Sequence, residues 1–387
     1  MQYLLAALVF FGVLTAWVTD YWAVAAFEVG ACILATVAML RGIRTPRFTF
    51  ALVPLFFAVF WGFFQYWTGR TVSPFNTRIA LARWTSMLAI FVVGYILFQD
   101  LEVHSRFRKA IVWFGFLLAA LSTLQAFTSH GKVFWIFPAE VNRNVLGPFV
   151  SRNQFAAFIE VVLPLAMYGS LRHRREALLY SCMTGVMYAA VIASGSRAGL
   201  LLTSAEIIAV VLFLWLYGKT SGSALGWSLL RILILLTVFT VAVGWGRVWS
   251  RLQSSDPYEI RRELAISSIS MIKARPVYGF GMGTWPIVYP QYAIIDVGQF
   301  ANRAHNDWLE WTADGGLPFG VAMLSLFLWC LPKACRTIWG IGVVAVFLHA
   351  TVDYPFSRPA LAGWIIVMIA LIAAAPDKRA RGVEGDN

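Results

Sequence analysis

The stretch Tyr21–Leu40, YWAVAAFEVGACILATVAML, is twenty residues long and has one charged side chain, Glu28. An apolar run of about 20 residues crosses a bilayer as a helix, because every backbone amide in hydrocarbon needs a partner within the chain. Similar runs recur throughout the 387 residues, of which 59% are hydrophobic and 13% charged. Soluble domains are about 25% charged. The sequence therefore predicts an all-α polytopic membrane protein.

We predict about twelve transmembrane helices in a single membrane domain, residues 1–387. The predicted spans are 3–19, 21–40, 48–66, 78–98, 110–127, 153–171, 178–194, 199–217, 229–246, 316–331, 338–354 and 359–375. The first run has no basic segment before it and is followed at once by another span, so we expect a retained helix rather than a signal peptide. The long segment between the ninth and tenth spans, residues 247–315, is predicted to be a large loop folded over the bundle.

Basic residues near the span ends predict the orientation. With the N-terminus in the cytoplasm, 16 of the 31 lysines and arginines face inward, which leaves 15 outside. Seven of those 15 lie in the loop 247–315, and loops of this length contribute little to the rule. Sixteen inward basic residues against eight outward ones then predict that both termini lie in the cytoplasm and that the large loop lies on the opposite side of the membrane.

The outward basic residues are almost all arginines. Only Lys132 and Lys273 among those 15 are lysines, which leaves thirteen arginines. The planar guanidinium matches phosphate oxygens two at a time, whereas lysine offers a point charge. This bias predicts a diphosphate ligand at the outer face. The alternative is that several of these arginines only anchor the helices to lipid headgroups.

The large loop is predicted to begin with an amphipathic helix that lies on the membrane or the bundle. Asp256 and Pro257 suit the cap and first position of a helix, which should end near Ala274, before Pro276. Its apolar side would be formed by Ile260, Leu264, Met271 and Ile272. The alternating glycines of 279–283 that follow favour tight turns over a backbone cradle for an anion.

The segment 303–310, RAHNDWLE, is the stretch densest in reactive side chains. A neutral imidazole such as His305 can take a proton from an attacking hydroxyl, although a lone histidine is more often structural. No carboxylate close in sequence orients it, so its partner must come from the tertiary structure. Elsewhere, Glu160 could pair with an arginine near Arg152 or, equally, form a simple helix–helix bond. His349 and Asp353 could form a local pair.

Several short motifs carry a family resemblance. They are FVSRNQFA at 149–156, SGSRAG at 194–199, Arg261 together with PVYGFGMG at 276–283, AHNDWL at 304–309 and GGLP at 315–318. In their order and spacing, and across most of its length, the chain resembles the O-antigen ligase and polymerase superfamily of bacterial envelopes. Members of the family often have asparagine or threonine in place of Ser151, and histidine in place of Gln154, so we assign no chemistry to these two.

The resemblance implies a metal-independent glycosyltransferase of the bacterial inner membrane that needs no cofactor. It would move a glycan from undecaprenyl diphosphate to a hydroxyl acceptor on the periplasmic face. Arg197 and Arg261 would grip the diphosphate and His305 would act as general base. Arg152, Arg303 and Asn306 are substrate-binding candidates from the same motifs, and Arg262 is a possible substitute for Arg261.

Three readings of function stay open. We favour ligation of the glycan to lipid A-core; a polymerase would use the same donor and pass the glycan to another lipid-linked repeat. Family members that glycosylate proteins often carry extra C-terminal soluble sequence, which we do not expect here. The rival from another class is a transporter, although carriers usually have two related halves and the sequence contains no internal repeat. Membrane lipids are expected partners and nucleic acids are not.

Overall fold

The computed structural model describes residues 1–18, 20–41, 48–138, 145–172, 175–217, 222–244, 246, 259–294 and 300–375. Its helices are α1 (Gln2–Leu14), α2 (Tyr21–Leu40), α3 (Leu52–Trp67), α4 (Pro74–Leu97), α5 (Leu101–Thr128), α6 (Arg152–Arg172), α7 (Ala177–Ser194), α8 (Arg197–Tyr217), α9 (Gly222–Val243), α10 (Glu259–Ala274), α11 (Trp285–Val288), α12 (Asp307–Ala334), α13 (Ile338–His349) and α14 (Pro359–Ala374). Two 3₁₀ turns cover Tyr289–Gln291 and Pro355–Ser357. The expectation of an all-helical chain needs one correction, because β1 (Lys132–Val133) and β2 (Phe137–Pro138) form a small antiparallel hairpin.

Every predicted apolar run coincides with a helix. Among the described residues, seven helices are long and apolar enough to cross a membrane, and five shorter apolar helices of 10–17 residues account for the other runs. The chain is therefore a polytopic membrane protein. The number of spans that cross stays a prediction, as do the periplasmic side of the large loop and the orientation.

The largest difference between the predicted spans and the observed helices is at α12, which begins at Asp307 rather than near residue 316. Asn306 caps this helix, because its side chain accepts a hydrogen bond from the Leu309 amide, as asparagine does at many helix starts. Asp307, Glu310 and Asp314 make the first turns polar. Hydropathy does not mark such turns as part of a span.

The centre of the bundle is formed by α6 and α14, whose residues are buried on nearly all sides. A helix that is hydrophobic all round is expected at a buried position. The two helices meet through the rings of Phe158 and Trp364, whose centroids are 4.7 Å apart. The neighbouring helices α1, α4, α5, α7 and α13 surround this pair.

The amphipathic helix predicted in the large loop is present as α10, while its predicted cap, Asp256, lies outside the described residues. Leu264 and Met271 are buried together with Trp285 and Tyr289. Ile260 is exposed, and Ile272 is partly buried against this cluster. The helix packs on the following loop segment and on the first turns of α12.

The glycine-rich segment 276–283 wraps around a kink in α12. Its backbone amides donate hydrogen bonds to that helix. The Gly281 amide donates to the Asp314 carbonyl at 2.9 Å, and the Gly283 amide donates to the Asp314 carboxylate at 2.7 Å. At the kink Gly316 has φ 71° and ψ 179°, and a Cβ there would lie 2.2 Å from the Val277 carbonyl oxygen. The segment is a tight turn, as predicted, and its amides are used by the fold.

Candidate active site

A cavity of about 1040 Å³ opens at one end of the bundle. This is the end where α1 stops, where α2, α4, α6 and α14 begin, and where residues 302–305 and the first turns of α10 lie. Among the described residues the lining contains six arginines, two carboxylates (Glu28 and Asp353) and no lysine. Six positive charges against two negative ones leave an excess of four. The arginines are Arg78, Arg83, Arg152, Arg261, Arg303 and Arg358.

His305 faces a carboxylate from the segment between α13 and α14. Its Nδ1 lies 3.3 Å from Oδ1 of Asp353, and its ring makes an edge-on contact with Tyr354 at 4.8 Å between centroids. The backbone of His305 is left-handed, with φ 51°, which is uncommon for a residue with a Cβ. With Nδ1 turned to Asp353, Nε2 is the ring nitrogen left to exchange a proton with a ligand.

Three of the sequence motifs meet at Asp353. Asn153, from the motif at 149–156, donates from its amide nitrogen to the Asp353 carboxylate at 3.4 Å. Ser196, from the motif at 194–199, donates its hydroxyl to the Asn153 side-chain oxygen at 2.9 Å. The third motif supplies His305. Segments that are far apart in sequence therefore hold one carboxylate against one imidazole.

Asp353 is buried and carries its negative charge at neutral pH. Burial acts to raise the pKa of its carboxyl, but the hydrogen bond from His305 and the positive charges of His349 and Arg261 lower the pKa below its ordinary value. The side chain is only 2% exposed. A charged acceptor fixed in this way orients the imidazole.

Glu160 forms the helix–helix bond that was the alternative to an arginine partner, whereas the side-chain pair expected between His349 and Asp353 is not formed. The Nδ1 atom of His349 lies 2.7 Å from the Oε1 atom of Glu160, and both side chains are fully buried. Glu160 therefore pairs with this histidine rather than with an arginine near Arg152. His349 likewise bonds to α6 rather than to Asp353, which leaves the Asp353 carboxylate to His305 and Asn153.

Arg303 and Asn306 flank His305 and are both held by the protein. The Arg303 guanidinium donates to Glu310 at 2.7 Å. Burial acts to lower the pKa of Arg303, but the charge and hydrogen bond of Glu310 outweigh it and raise the pKa above its ordinary value. Asn306 caps α12 and donates to the Thr351 carbonyl. Arg303 lines the cavity, whereas Asn306 does not.

The other candidate arginines separate into two groups. Arg152 and Arg261 line the cavity. Arg262, on the next position of α10, is exposed and lies outside the lining. Arg197 is the first residue of α8 and also lies outside the lining, but it directly follows Ser196. Sequence reasoning missed three lining arginines, Arg78, Arg83 and Arg358.

A signal for Arg83 was present in the sequence. It lies inside the predicted span 78–98, and an arginine within a span is costly unless it faces the bundle interior or water. In the structure it donates to the Ser357 carbonyl at 3.3 Å and lies 4.0 Å from Glu28. Asp353 lies inside the predicted span 338–354 and carried the same signal, but its contact with His305, 48 positions away, did not follow from the sequence.

An apolar groove of about 760 Å³ adjoins the arginine-lined cavity. The groove runs between α2, α3 and α4 and is lined by residues such as Val29, Ile33 and Leu81. Ala25, Glu28, Arg78 and Ala82 line both spaces. The site as a whole can therefore accommodate a ligand with a strongly anionic part and a long apolar part.

The family model described as O-antigen ligase matches residues 182–325. The matched region extends from α7 into α12 and contains Arg197, Arg261 and His305. Arg152 and Asp353 lie outside it. The comparison with curated proteins gives no match.

Proposed function

Because the chain belongs to the O-antigen ligase superfamily, we propose that it transfers a glycan from undecaprenyl diphosphate to a hydroxyl acceptor, and that the acceptor is lipid A-core. Family membership makes it a membrane enzyme of the O-antigen ligase or polymerase type. The donor, the acceptor and the residue roles are our proposal. One observation carries it: an arginine-lined cavity contains a His–Asp pair and joins an apolar groove.

The arginines suit a diphosphate leaving group. When the bond between the anomeric carbon and the phosphate oxygen breaks, the electron pair stays on the diphosphate, which gains negative charge. Fixed positive groups stabilise that charge more in the transition state than in the ground state, and this difference accelerates the reaction. We assign this role to Arg261 and Arg152, which line the cavity, and to Arg197, which lies outside the lining and directly follows Ser196.

The groove favours a lipid-linked donor over a soluble sugar nucleotide. A nucleotide needs polar partners around its base and ribose, whereas the groove between α2, α3 and α4 is lined mainly by apolar side chains. A polyprenyl chain would fit there and pass into the larger cavity beside the shared residue Arg78, with its diphosphate and its glycan in that cavity.

His305 is the proposed general base. Its Nε2 takes the proton of the acceptor hydroxyl while the acceptor oxygen bonds to the anomeric carbon and the diphosphate departs. Asp353 holds the imidazole through Nδ1 and stabilises the imidazolium that forms. The proton then passes to solvent. A single displacement of this kind inverts the anomeric configuration.

The charges that this reaction needs are supplied by guanidinium groups, so we propose catalysis without a metal ion or cofactor. The proposed location is the bacterial inner membrane, with the cavity open to the periplasm. The topology predicted from the basic residues supports this side, because the end of α1 and the starts of α2, α4, α6 and α14, which meet at the cavity, are all predicted to face outward.

The test is glycan transfer by the purified full-length protein in proteoliposomes. The donor is an oligosaccharide on undecaprenyl diphosphate, and lipid A-core and a second carrier-linked repeat are offered separately as acceptors. We expect transfer to lipid A-core, undiminished by a chelator and lost in His305→Ala. Transfer only to the carrier-linked repeat would make the protein a polymerase. Movement of the donor across the bilayer without transfer would make it a transporter.

The matched control is His130→Ala. His130 is also a histidine in the left-handed region, with φ 52°, but it is exposed and lies outside the cavity lining. Its loss should leave transfer unchanged. Equal loss of activity in both variants would point to damage to the fold and remove the argument for His305.

The groove has its own test. Ala25 lines both spaces, so Ala25→Phe should obstruct their junction and raise the KM for the lipid-linked donor. Ala26 is exposed on the same helix and lines neither space, which makes Ala26→Phe the control. A donor with a shortened lipid should be less affected by Ala25→Phe. Equal donor KM values in the two variants would contradict the placement of the polyprenyl chain in the groove.

A further inference from the structure

A second basic concavity lies apart from the arginine-lined cavity. It has a volume of about 460 Å³, is bounded by Gly69 and Arg70 after α3 and by residues 275–279 after α10, and shares no lining residue with the first. Arg261 and Arg275 are fourteen positions apart along α10. At 1.5 Å per residue this corresponds to about 21 Å, so a diphosphate held by Arg261 does not reach Arg275.

Both arginines of this concavity rest on aromatic rings. The Cζ atom of Arg70 is 4.5 Å from the centre of the Tyr278 ring, and that of Arg275 is 4.6 Å from the Phe280 ring. Within the described part of the chain neither guanidinium forms an ion pair with a carboxylate. Their charges are therefore held in place and available to an anion.

The backbone around the two arginines is fixed by Gln65. Its side chain donates to the Tyr278 carbonyl at 2.7 Å and accepts from the Met282 amide at 3.0 Å. The Arg70 amide in turn donates to the Gln65 carbonyl at 2.9 Å. The concavity is thus a built feature of the fold, in which α3 and the segment after α10 are joined.

The predicted topology puts the concavity at the level of the membrane surface. α3 ends at Trp67, which is 76% exposed, and exposed tryptophans at span ends mark the headgroup level. A row of aromatic rings continues from Tyr278 along α3. The ring centroids of Tyr278 and Phe64 are 6.1 Å apart, and those of Phe64 and Phe60 are 6.5 Å apart. Phe60 is exposed, so this row faces the region of the acyl chains.

We propose that the concavity binds the phosphate of an anionic phospholipid of the surrounding leaflet. The phosphate would lie between Arg70 and Arg275, and an acyl chain would run down the surface formed by Tyr278, Phe64 and Phe60. The bound lipid would pin the segment 275–283 that wraps the kink of α12. The site is separate from the proposed transfer reaction and does not depend on it.

The experiment measures lipid binding by native mass spectrometry of the full-length protein in detergent. The probes are phosphatidylglycerol and phosphatidylcholine, which share acyl chains and differ in net charge. Wild type should retain phosphatidylglycerol in preference to phosphatidylcholine. Arg70→Gln with Arg275→Gln should weaken phosphatidylglycerol binding by about 30-fold, since each basic residue near a charged lipid contributes about fivefold.

The control removes two positive charges at other span ends, through Arg41→Gln with Lys333→Gln, and should retain the lipid as wild type does. Equal retention of phosphatidylglycerol by both double variants would overturn the proposal. So would equal binding of the two lipids by wild type, a comparison that requires no substitution. If lipid A displaced phosphatidylglycerol and no phospholipid did, the site would bind the proposed glycan acceptor. That result would also overturn the proposal.

Discussion

The carboxylate that orients His305 offers the sharpest test of the site. Asp353→Asn keeps the size of the side chain and removes its charge. The amide could still contact Nδ1, but it would no longer stabilise an imidazolium. We therefore expect kcat for glycan transfer to fall while the KM for the donor stays nearly constant, because the diphosphate is bound by arginines that the substitution leaves in place.

The size of the loss follows from the contact. A hydrogen bond to a charged group contributes about 1.5–3 kcal/mol, which corresponds to about 10- to 150-fold in rate. The Nδ1–Oδ1 distance of 3.3 Å is long for such a bond, and the His305 side chain is 35% exposed. Both features weaken the interaction. We expect a loss of about 10- to 50-fold, smaller than the 10²- to 10⁴-fold that general-base catalysis can supply.

The assay is initial-rate transfer in proteoliposomes by wild type, His305→Ala, Asp353→Asn and the double variant. If Asp353 acts through His305, the double variant should be no slower than His305→Ala alone. Losses that multiply in the double variant would refute an indirect role for Asp353. Wild-type kcat in Asp353→Asn would remove the carboxylate from the mechanism altogether.

Three further predictions follow from the geometry. Arg261→Gln should lower kcat at least about 100-fold, as the loss of one transition-state donor does. Arg262→Gln should have little effect, because Arg262 lies outside the cavity. Steady-state transfer rates measure both effects. The pKa of the Asp353 carboxyl is lowered in the fold, so its contribution to stability is present above about pH 4 and is lost as the pH falls through the lowered pKa. The difference in melting temperature between wild type and Asp353→Asn should accordingly be full at pH 7 and shrink in acid. Gly316→Ala should destabilise the protein by at least about 1–3 kcal/mol, because its φ and ψ belong to a region essentially restricted to glycine, and thermal unfolding in detergent measures this cost.

The helices could be predicted from the sequence because the bilayer imposes a simple rule. A run of about 20 apolar residues has few alternatives to a membrane helix, and each predicted run coincides with a helix. The rule fails where polar residues belong to a helix, as in the first turns of α12. There Asp307 is buried but accepts hydrogen bonds from the Phe356 amide and the Ser357 hydroxyl, so its polarity is satisfied within the protein.

The site could be predicted only in part, because its assembly depends on contacts between distant segments. The arginine bias of the outer face indicated an anionic ligand, and the motif at 304–309 indicated His305. No spacing in the sequence indicates that Asp353 approaches His305, or that Glu160 competes for His349. Arg261 lines the cavity and Arg262 does not because the two residues point in different directions from α10. Which of them faces the cavity depends on how that helix packs.

The position of the cavity also bears on why arginine alone could suffice there. A cavity at the end of a helix bundle has low-dielectric walls, so its charges are screened less than on an exposed surface. An excess of four positive charges exceeds the charge of a glycan-linked diphosphate and is closer to that of the undecaprenyl diphosphate that leaves, which carries one more negative charge. The cavity is thus better matched to the charge that develops during transfer than to the donor, which is the condition for a rate enhancement. Lysine would supply the same net charge, but its mobile ammonium groups would have to be ordered at the moment of reaction. Guanidinium groups held by Glu310, by the Ser357 carbonyl and by aromatic rings are ordered beforehand, and we infer that this preorganisation is why the cavity is lined by arginine.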